Sequence, residues 1–265
     1  MYDRVKIVSS LKYFDGNPKE HKMITKQLLI NNLEKLKSNS YPGRGIIIGM
    51  TPDSRNMVQV YWIMGRSENS RNRIFENING FIRTKAFDES KIIDPTLIIY
   101  YPVKHCGDFH IVSNGDHTET IFNAVLTGES FEGSLSTRCY EPDVPNFTPR
   151  ISGLVCLKDS QYAYSLSILK SLYNMEDFSI KSFYNYERAV PGIGHCIHTY
   201  SQDGNPLPSF TGEPFELELF DDIYETAEFY WNILNKENRV SILVKHICID
   251  DSRYEIGIIN RHNVG

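Results

Sequence analysis

The sequence contains no apolar run approaching the ~18 residues a membrane-crossing helix needs, which excludes a helical membrane span. Cysteine is sparse: Cys106, Cys139, Cys156, Cys196 and Cys248 are five in 265 residues, an odd number without CxxC spacing. That usage excludes a disulfide framework and a zinc site built on cysteine pairs, and it reads as reduced thiols, most of them in the core. Positive charge is not in excess either, because 28 Lys and Arg stand against 33 Asp and Glu, a net charge of −5. With no global positive field, nucleic acid and anionic membranes are not expected partners, and any anion must be held by a local cluster. The opening segment MYDRVKIVSSLKYF lacks the continuous apolar stretch and small-residue cleavage site of a secretory leader, so the expectation is a cytoplasmic protein. Internal repeats and low-complexity linkers are also missing. The expectation is therefore one domain over residues 1–265, with an N-terminal helical extension over about 1–40.

What is present is ordinary globular composition, 41% hydrophobic and 23% charged, with clear periodicity. Residues 20–38 place Ile24, Leu28, Leu29, Leu33 and Leu36 on one helical stripe. Tyr41-Pro42-Gly43 breaks that helix. Four strand-like segments follow, RGIIIGM, MVQVYWIMGR, PTLIIYYPVK and FHIVSN, and their succession suggests a meander. Asp116 then precedes helical spacing at Ile121, Ala124 and Val125, with Glu119 placed to complete a capping box. A second short helix is expected over 129–139 and another over 222–235. Between and after them lie the strand patterns RISGLVCL, YAYSLSIL, SIKSFYNYER, HCIHTYS, FELELF, RVSILVKHICID and YEIGIIN. Strands in blocks, with helices between the blocks, favour an α+β fold of antiparallel sheets covered by helices over a parallel βαβ sheet.

The chemistry concentrates after the second strand. Val58, Val60, Trp62 and Met64 share one face of that strand, Gln59, Tyr61 and Ile63 the other, and the pattern stops at Gly65. Beyond it RSENSRNR supplies Arg66, Ser67, Ser70, Arg71 and Arg73. Guanidinium forks bind oxyanions bidentately and serine hydroxyls fill the remaining acceptor positions, so the segment reads as a phosphate-binding loop. A solvated surface loop with Glu68 as an ion-pair partner is the competing reading.

In order along the chain, GRGIIIGMT, VYWIMGRSENSRNRIF, SNGDHTETI and YEPDVPNFTPRISGL resemble the archaeal-type IMP cyclohydrolases and their longer bacterial relatives, over roughly residues 43–155. HCIHTYSQDGNPLPSFTGEP resembles the longer members only. The resemblance implies a four-layer αββα sandwich of antiparallel sheets, similar to the N-terminal-nucleophile hydrolases. It also implies a homo-oligomer and a cofactor-free, metal-free reaction, the dehydrative ring closure of 5-formamidoimidazole-4-carboxamide ribotide to IMP. A protein that binds purine nucleotides without this chemistry is the alternative. Met1-Tyr2 offers no N-terminal nucleophile, so the fold likeness carries no hydrolase mechanism with it.

Such a reaction needs an anion clamp, a proton acceptor and donors aimed at the developing oxyanion. On the resemblance, Arg66 and Arg73, backed by Ser67 and Arg71, are the clamp and charge stabilisers. Tyr100 would donate to the oxyanion, with Tyr101 on the opposite face. Glu141, favoured over Asp143, would orient the carboxamide, and Arg150 would hold that carboxylate ionised. A polar loop whose acids simply pair with Arg150 remains open. Asn114, before Gly115, suits either a turn or a ribose or base contact. Arg44 is a further phosphate candidate. His195, Cys196 and His198 alternate faces along a strand and do not converge, and His105, Cys106 and His110 read as hairpin ends.

Overall fold

The computed structural model describes residues 26–91, 99–158 and 161–263. Helix α1 (Lys26–Ser38) leads into strands β1 (Gly45–Met50) and β2 (Asn56–Met64), followed by one helical turn, α2 (Glu68–Arg71). Strands β3 (Arg73–Ile78), β4 (Phe81–Ala86), β5 (Val103–Cys106) and β6 (Phe109–Ser113) come next, then helices α3 (His117–Leu126) and α4 (Phe131–Ser134). The chain continues through β7 (Arg150–Cys156), β8 (Tyr164–Ser171), β9 (Ser179–Tyr186), β10 (Ile193–His198) and β11 (Phe215–Glu218). It ends on α5 (Ile223–Ile233), β12 (Arg239–Cys248) and β13 (Tyr254–Asn260).

The strands form two antiparallel sheets, a six-stranded one ordered β11-β10-β1-β2-β12-β13 and a seven-stranded one ordered β3-β4-β5-β6-β7-β8-β9. Strand β2 shows why they pack together. It lies between β1 and β12, and both of its faces are buried. One face turns Gln59 and Tyr61 towards the second sheet, where the Tyr61 ring lies 5.6 Å from Phe75 of β3 and Gln59 Nε2 donates to the His110 carbonyl of β6 at 2.9 Å. A Cβ at Gly153 of β7 would meet Ile48 Cδ1 at 2.3 Å, so the tip of this β1 side chain packs into the space the glycine leaves. Helix α5 packs on β12 and β13, and α1 on β11. Helix α3 covers β5 and β6, closing a smaller apolar cluster of Ile111, Ile121, Phe131, Leu135, Leu154 and Leu169.

Local signals explain the clearest elements. Helix α5 starts because the Asp222 side chain accepts from the backbone N–H groups of Tyr224 and Glu225. It stays docked because Ile223, Ala227, Tyr230 and Trp231 are buried along one face. Among the described residues no helix is long and apolar enough to cross a membrane.

Several expectations are corrected. The four early strands are not one meander, because β1 and β2 belong to the first sheet while β5 and β6 belong to the second. The β3–β4 hairpin between them was not expected; in RNRIFENING the charges of Arg71, Arg73 and Glu76 follow no strand period, and only Ile74 and Phe75 stand together as an apolar pair. Among the described residues of PTLIIYYPVK, only Val103 and Lys104 lie in a strand, the start of β5, and residues 92–98 lie outside the described residues. The helix expected over 129–139 shrinks to Phe131–Ser134. Residues 20–25 of the first helix, and Met1-Tyr2, also lie outside the described residues.

Candidate active site

Where the ends of β1, β2, β3 and β7 meet, the interior changes from apolar to ionic. Arg44, immediately before β1, directs Nη2 at the Glu141 carboxylate, 3.1 Å from Oε2 and 3.4 Å from Oε1. The Glu141 side chain is buried and that of Arg44 is 11% exposed, and Arg44 Nε has no hydrogen-bond partner among the described residues. Burial works against the Arg44 charge, but Glu141 beside it raises its pKa well above the usual value. Burial likewise pushes the Glu141 carboxyl above the ordinary carboxylate range, opposed by the charges of Arg44 and Arg150.

Arg73, the first residue of β3, is 3% exposed. Its guanidinium donates to the carbonyls of Ser70 at 2.8 Å and Met64 at 3.1 Å, and among the described residues no carboxylate pairs with it. The field at Arg73 comes from Tyr100, Arg44, Tyr41 and Tyr61, which places it in the same group as the Arg44–Glu141 pair. Tyr100 does not end a strand. It sits in a bend pinned to β4, donating its N–H to Thr84 Oγ1 at 2.8 Å and accepting from the Thr84 N–H at 2.8 Å. Its hydroxyl is 2.8 Å from that of Tyr61, and burial raises the Tyr61 pKa well above the normal phenol value, with Tyr100 contributing.

The other expected site residues fall into different places. Arg66 is exposed, donating to Asp203 Oδ1 at 2.6 Å and the Gly204 carbonyl at 2.9 Å, with its guanidinium 4.9 Å from the Tyr41 ring centroid. It lies at the rim rather than in the interior. Ser67 caps α2 by accepting from Ser70 N–H, and Arg71 is occupied by the Gly65 carbonyl and Asn238 Oδ1. Both hold the turn that delivers Arg73. Asn114 uses both ends of its amide on the backbone around the start of β7, donating to Pro149 O at 2.9 Å and accepting from Ile151 N–H at 2.8 Å. Asp143 accepts from the backbone N–H of Thr148 at 2.6 Å and from its hydroxyl at 2.5 Å, while Thr148 Oγ1 lies 2.5 Å from the Tyr200 hydroxyl. The carboxylate therefore shapes the loop that carries Glu141. Tyr101 is half-buried beside Lys104.

Arg150 makes its ion pair with Asp116 at 2.5 Å rather than with Glu141, and donates to His117 Nδ1 at 3.1 Å. Its charge still reaches Glu141, because a Cβ at Gly115 would lie 2.8 Å from Arg150 Nη1 and 3.5 Å from Glu141 Oε1. Only glycine leaves this junction clear. Asp116 occupies the N-cap position of α3 in αR conformation and makes no capping bond, because Arg138 and Arg150 take its oxygens. Glu119 pairs with Lys104 instead of closing a capping box. Burial lowers the His117 pKa to about 3, so the neutral ring donates Nε2–H to the Ile151 carbonyl at 3.2 Å and accepts from Arg150 on Nδ1. His195 turns to the Tyr164 hydroxyl, while Cys196 and His198 are buried away from it.

Tyr61, Tyr200, Asp116 and His117 were not anticipated. The period-two pattern on β2 does place Tyr61 opposite Trp62, but it does not say which face meets a site.

Buried guanidinium groups, a buried carboxylate and a phenol pair thus lie together between the two antiparallel sheets, joining permanent positive charge to hydrogen-bonding groups. The chain belongs to the IMP cyclohydrolase-like protein family, whose model matches residues 41–252. It is similar to the IMP cyclohydrolase of Methanococcus maripaludis strain C7, 34% identical over 127 residues, 46% of this chain and 61% of that protein. The IMP cyclohydrolase of Methanothrix thermoacetophila is 32% identical over 120 residues, 43% of this chain and 57% of its own length. That of Methanosphaera stadtmanae is 31% identical over 126 residues, 46% of this chain and 61% of its own. The matches thus span about three fifths of the curated relatives.

Proposed function

We propose that this protein is an IMP cyclohydrolase, closing the second purine ring of 5-formamidoimidazole-4-carboxamide ribotide with loss of water, on a four-layer αββα sandwich like that of the N-terminal-nucleophile hydrolases. The observation that carries the reading is Arg73, a buried guanidinium with no carboxylate partner among the described residues, beside a phenol pair and a buried carboxylate. An uncompensated buried cation is costly, and an anionic ligand that supplies the missing charge relieves the cost.

In this mechanism the ribotide phosphate lies towards the rim, where Arg66 leaves Asp203 to meet it, and the imidazole carboxamide and formyl groups point inward. Most of the catalytic task is to hold the carboxamide nitrogen against the formyl carbon, because the reaction is intramolecular. Glu141 accepts the carboxamide N–H, and its raised basicity suits it to take that proton as the N–C bond forms. The formyl oxygen gains negative charge as its π bond opens. Tyr100 donates to it while accepting from Tyr61, and Arg73 adds positive charge. Loss of the second nitrogen-bound proton and of the protonated oxygen as water completes the aromatic ring. Arg44 keeps Glu141 in place, and Asp116, His117 and Arg150 form the wall behind it. A cytoplasmic, homo-oligomeric enzyme is part of the same reading and rests on the family likeness.

The test is to mix purified full-length protein with the formamido ribotide and follow IMP formation by ultraviolet absorbance. Formation above the buffer control is expected, and Tyr100→Phe should lower kcat more than it raises KM. Tight nucleotide binding without product would replace the enzyme by a nucleotide-binding protein.

A further inference from the structure

A second group of polar atoms lies in the space between the two sheets, displaced along β2 from the phenol pair. Lys245 of β12 is fully buried, and its Nζ has no hydrogen-bond partner. It stands directly opposite Gln59 in the β2–β12 register, where Gln59 Nε2 is fixed by the His110 carbonyl and Gln59 Oε1 is left unpartnered. His110 is fully buried with both ring nitrogens unpartnered, and its cross-strand neighbour His105 has an unpartnered Nδ1. The two imidazoles stack at 5.7 Å, and the Tyr254 ring closes the group, 4.4 Å from Lys245 Nζ and 4.6 Å from the His105 ring. No carboxylate among the described residues forms an ion pair with any of these bases.

Buried polar groups are normally satisfied, so several unpartnered atoms together signal a missing partner. The atoms present are an amine, an amide oxygen that accepts, and imidazoles that both donate and accept. What the set lacks is an acid. We propose that Lys245 is a carbamylation site, at which Nζ adds carbon dioxide and the resulting carbamate provides the anion this group of bases is built around. The nitrogen lone pair forms a bond to the carbon, one carbon–oxygen π pair moves onto oxygen, and the proton released from nitrogen leaves to solvent past the partly exposed His105. The product is a carbamate anion among neutral imidazoles, because burial and the Lys245 charge hold His110 far below the usual imidazole pKa. Its oxygens accept from His110 and His105, and its remaining N–H donates to Gln59 Oε1. No oxidant, reductant or metal is required. Carbon dioxide is small and uncharged, so it crosses an apolar interior without the desolvation cost of bicarbonate, and the partly exposed His105 and Tyr254 mark the nearest surface. Burial also lowers the Lys245 pKa to about 7, which leaves a nucleophilic amine available in neutral solution.

The experiment exposes the full-length protein to carbon-13 bicarbonate at about pH 8, where a buried amine of this kind is unprotonated, and records the carbon-13 spectrum. The carbamate is then trapped by O-alkylation and located by peptide mass mapping. Expected are a bicarbonate-dependent carbamate resonance that acid abolishes, the trapped mass on the peptide containing Lys245, and loss of both in Lys245→Met. Gln59→Leu keeps the amine but removes the acceptor, and should lower occupancy several-fold. Absence of the resonance in the wild-type protein, or a trapped group only at the N-terminus or another lysine, overturns the proposal. Should Lys245→Met fail to fold, the wild-type mapping decides alone.

Discussion

Arg73 and Lys245 are both cationic side chains sealed between the same two sheets without a carboxylate, yet the interior treats them differently. Burial lowers the pKa of each. The guanidinium starts so high that it remains charged, whereas the amine falls to about 7 and titrates across the neutral range, so that a large share of it is unprotonated there. The protein therefore keeps one permanent positive charge, which calls for an anionic ligand, and one neutral nucleophile, which calls for an electrophile. Their hydrogen bonds agree with this division. Arg73 is anchored by two backbone carbonyls, and Lys245 Nζ has only the face of Tyr254.

The largest effect is expected from exchanging the two chemistries. Arg73→Ala should lower kcat/KM for ring closure by about 10²- to 10³-fold, the usual cost of losing a donor to a developing oxyanion. Arg73→Lys should not restore activity, because an amine there would lose its proton as Lys245 does and could not reproduce the bidentate fork. Steady-state kinetics on variants with matched thermal stability checks both. Full activity in Arg73→Lys would show that a permanent guanidinium is not what the site uses.

A smaller effect concerns stability. Between the folded pKa of Lys245 near 7 and its unfolded value near 10.4, the unfolded chain binds the extra proton, so stability should rise with pH. In carbon-dioxide-free buffer the contribution approaches about 1.4 kcal/mol per pH unit across that window, and it flattens below pH 7 where both states are protonated. Lys245→Met should remove this slope and stabilise the protein near neutrality. Urea unfolding at several pH values measures it, and equal slopes in both proteins would mean that Lys245 is not a buried neutral amine.

The sequence made the periodic elements legible and the ionic ones much less so. Helix α5 and strands β2, β7, β12 and β13 follow from apolar spacing and capping, because those signals are local. The arginine segment was visible as chemistry, but three arginines in eight residues do not reveal that Arg73 begins a strand and is buried while Arg66 faces solvent. That distinction is made by the β3–β4 hairpin, whose first strand, RIFENI, has no clean apolar alternation. The partner of Glu141 was likewise out of reach. Arg150 is close in sequence and Arg44 is distant, yet the sheet register delivers Arg44, while α3 presents Asp116 to Arg150. Lys245, in the run RVSILVKHICID, carries no sequence sign of having lost its solvent. Its burial follows from the inward face of β12 meeting a second sheet whose existence must already be known.

The smallest effect is expected at the rim, and it is the sharpest check on the role of burial. The Arg66–Asp203 pair is 2.6 Å long, but its side chains are 38% and 43% exposed. Solvent and salt screen such a pair, so a double-mutant cycle through Arg66→Ala and Asp203→Ala should give a coupling of about 1 kcal/mol or less. If Arg66 meets the phosphate only on binding, Arg66→Ala should raise KM by about tenfold or less and leave kcat nearly unchanged, with the KM effect shrinking at high salt. Should Arg66→Ala lower kcat as severely as Arg73→Ala, the exposed arginine would be acting on the reacting atoms, and the division of labour between rim and interior would fall with it.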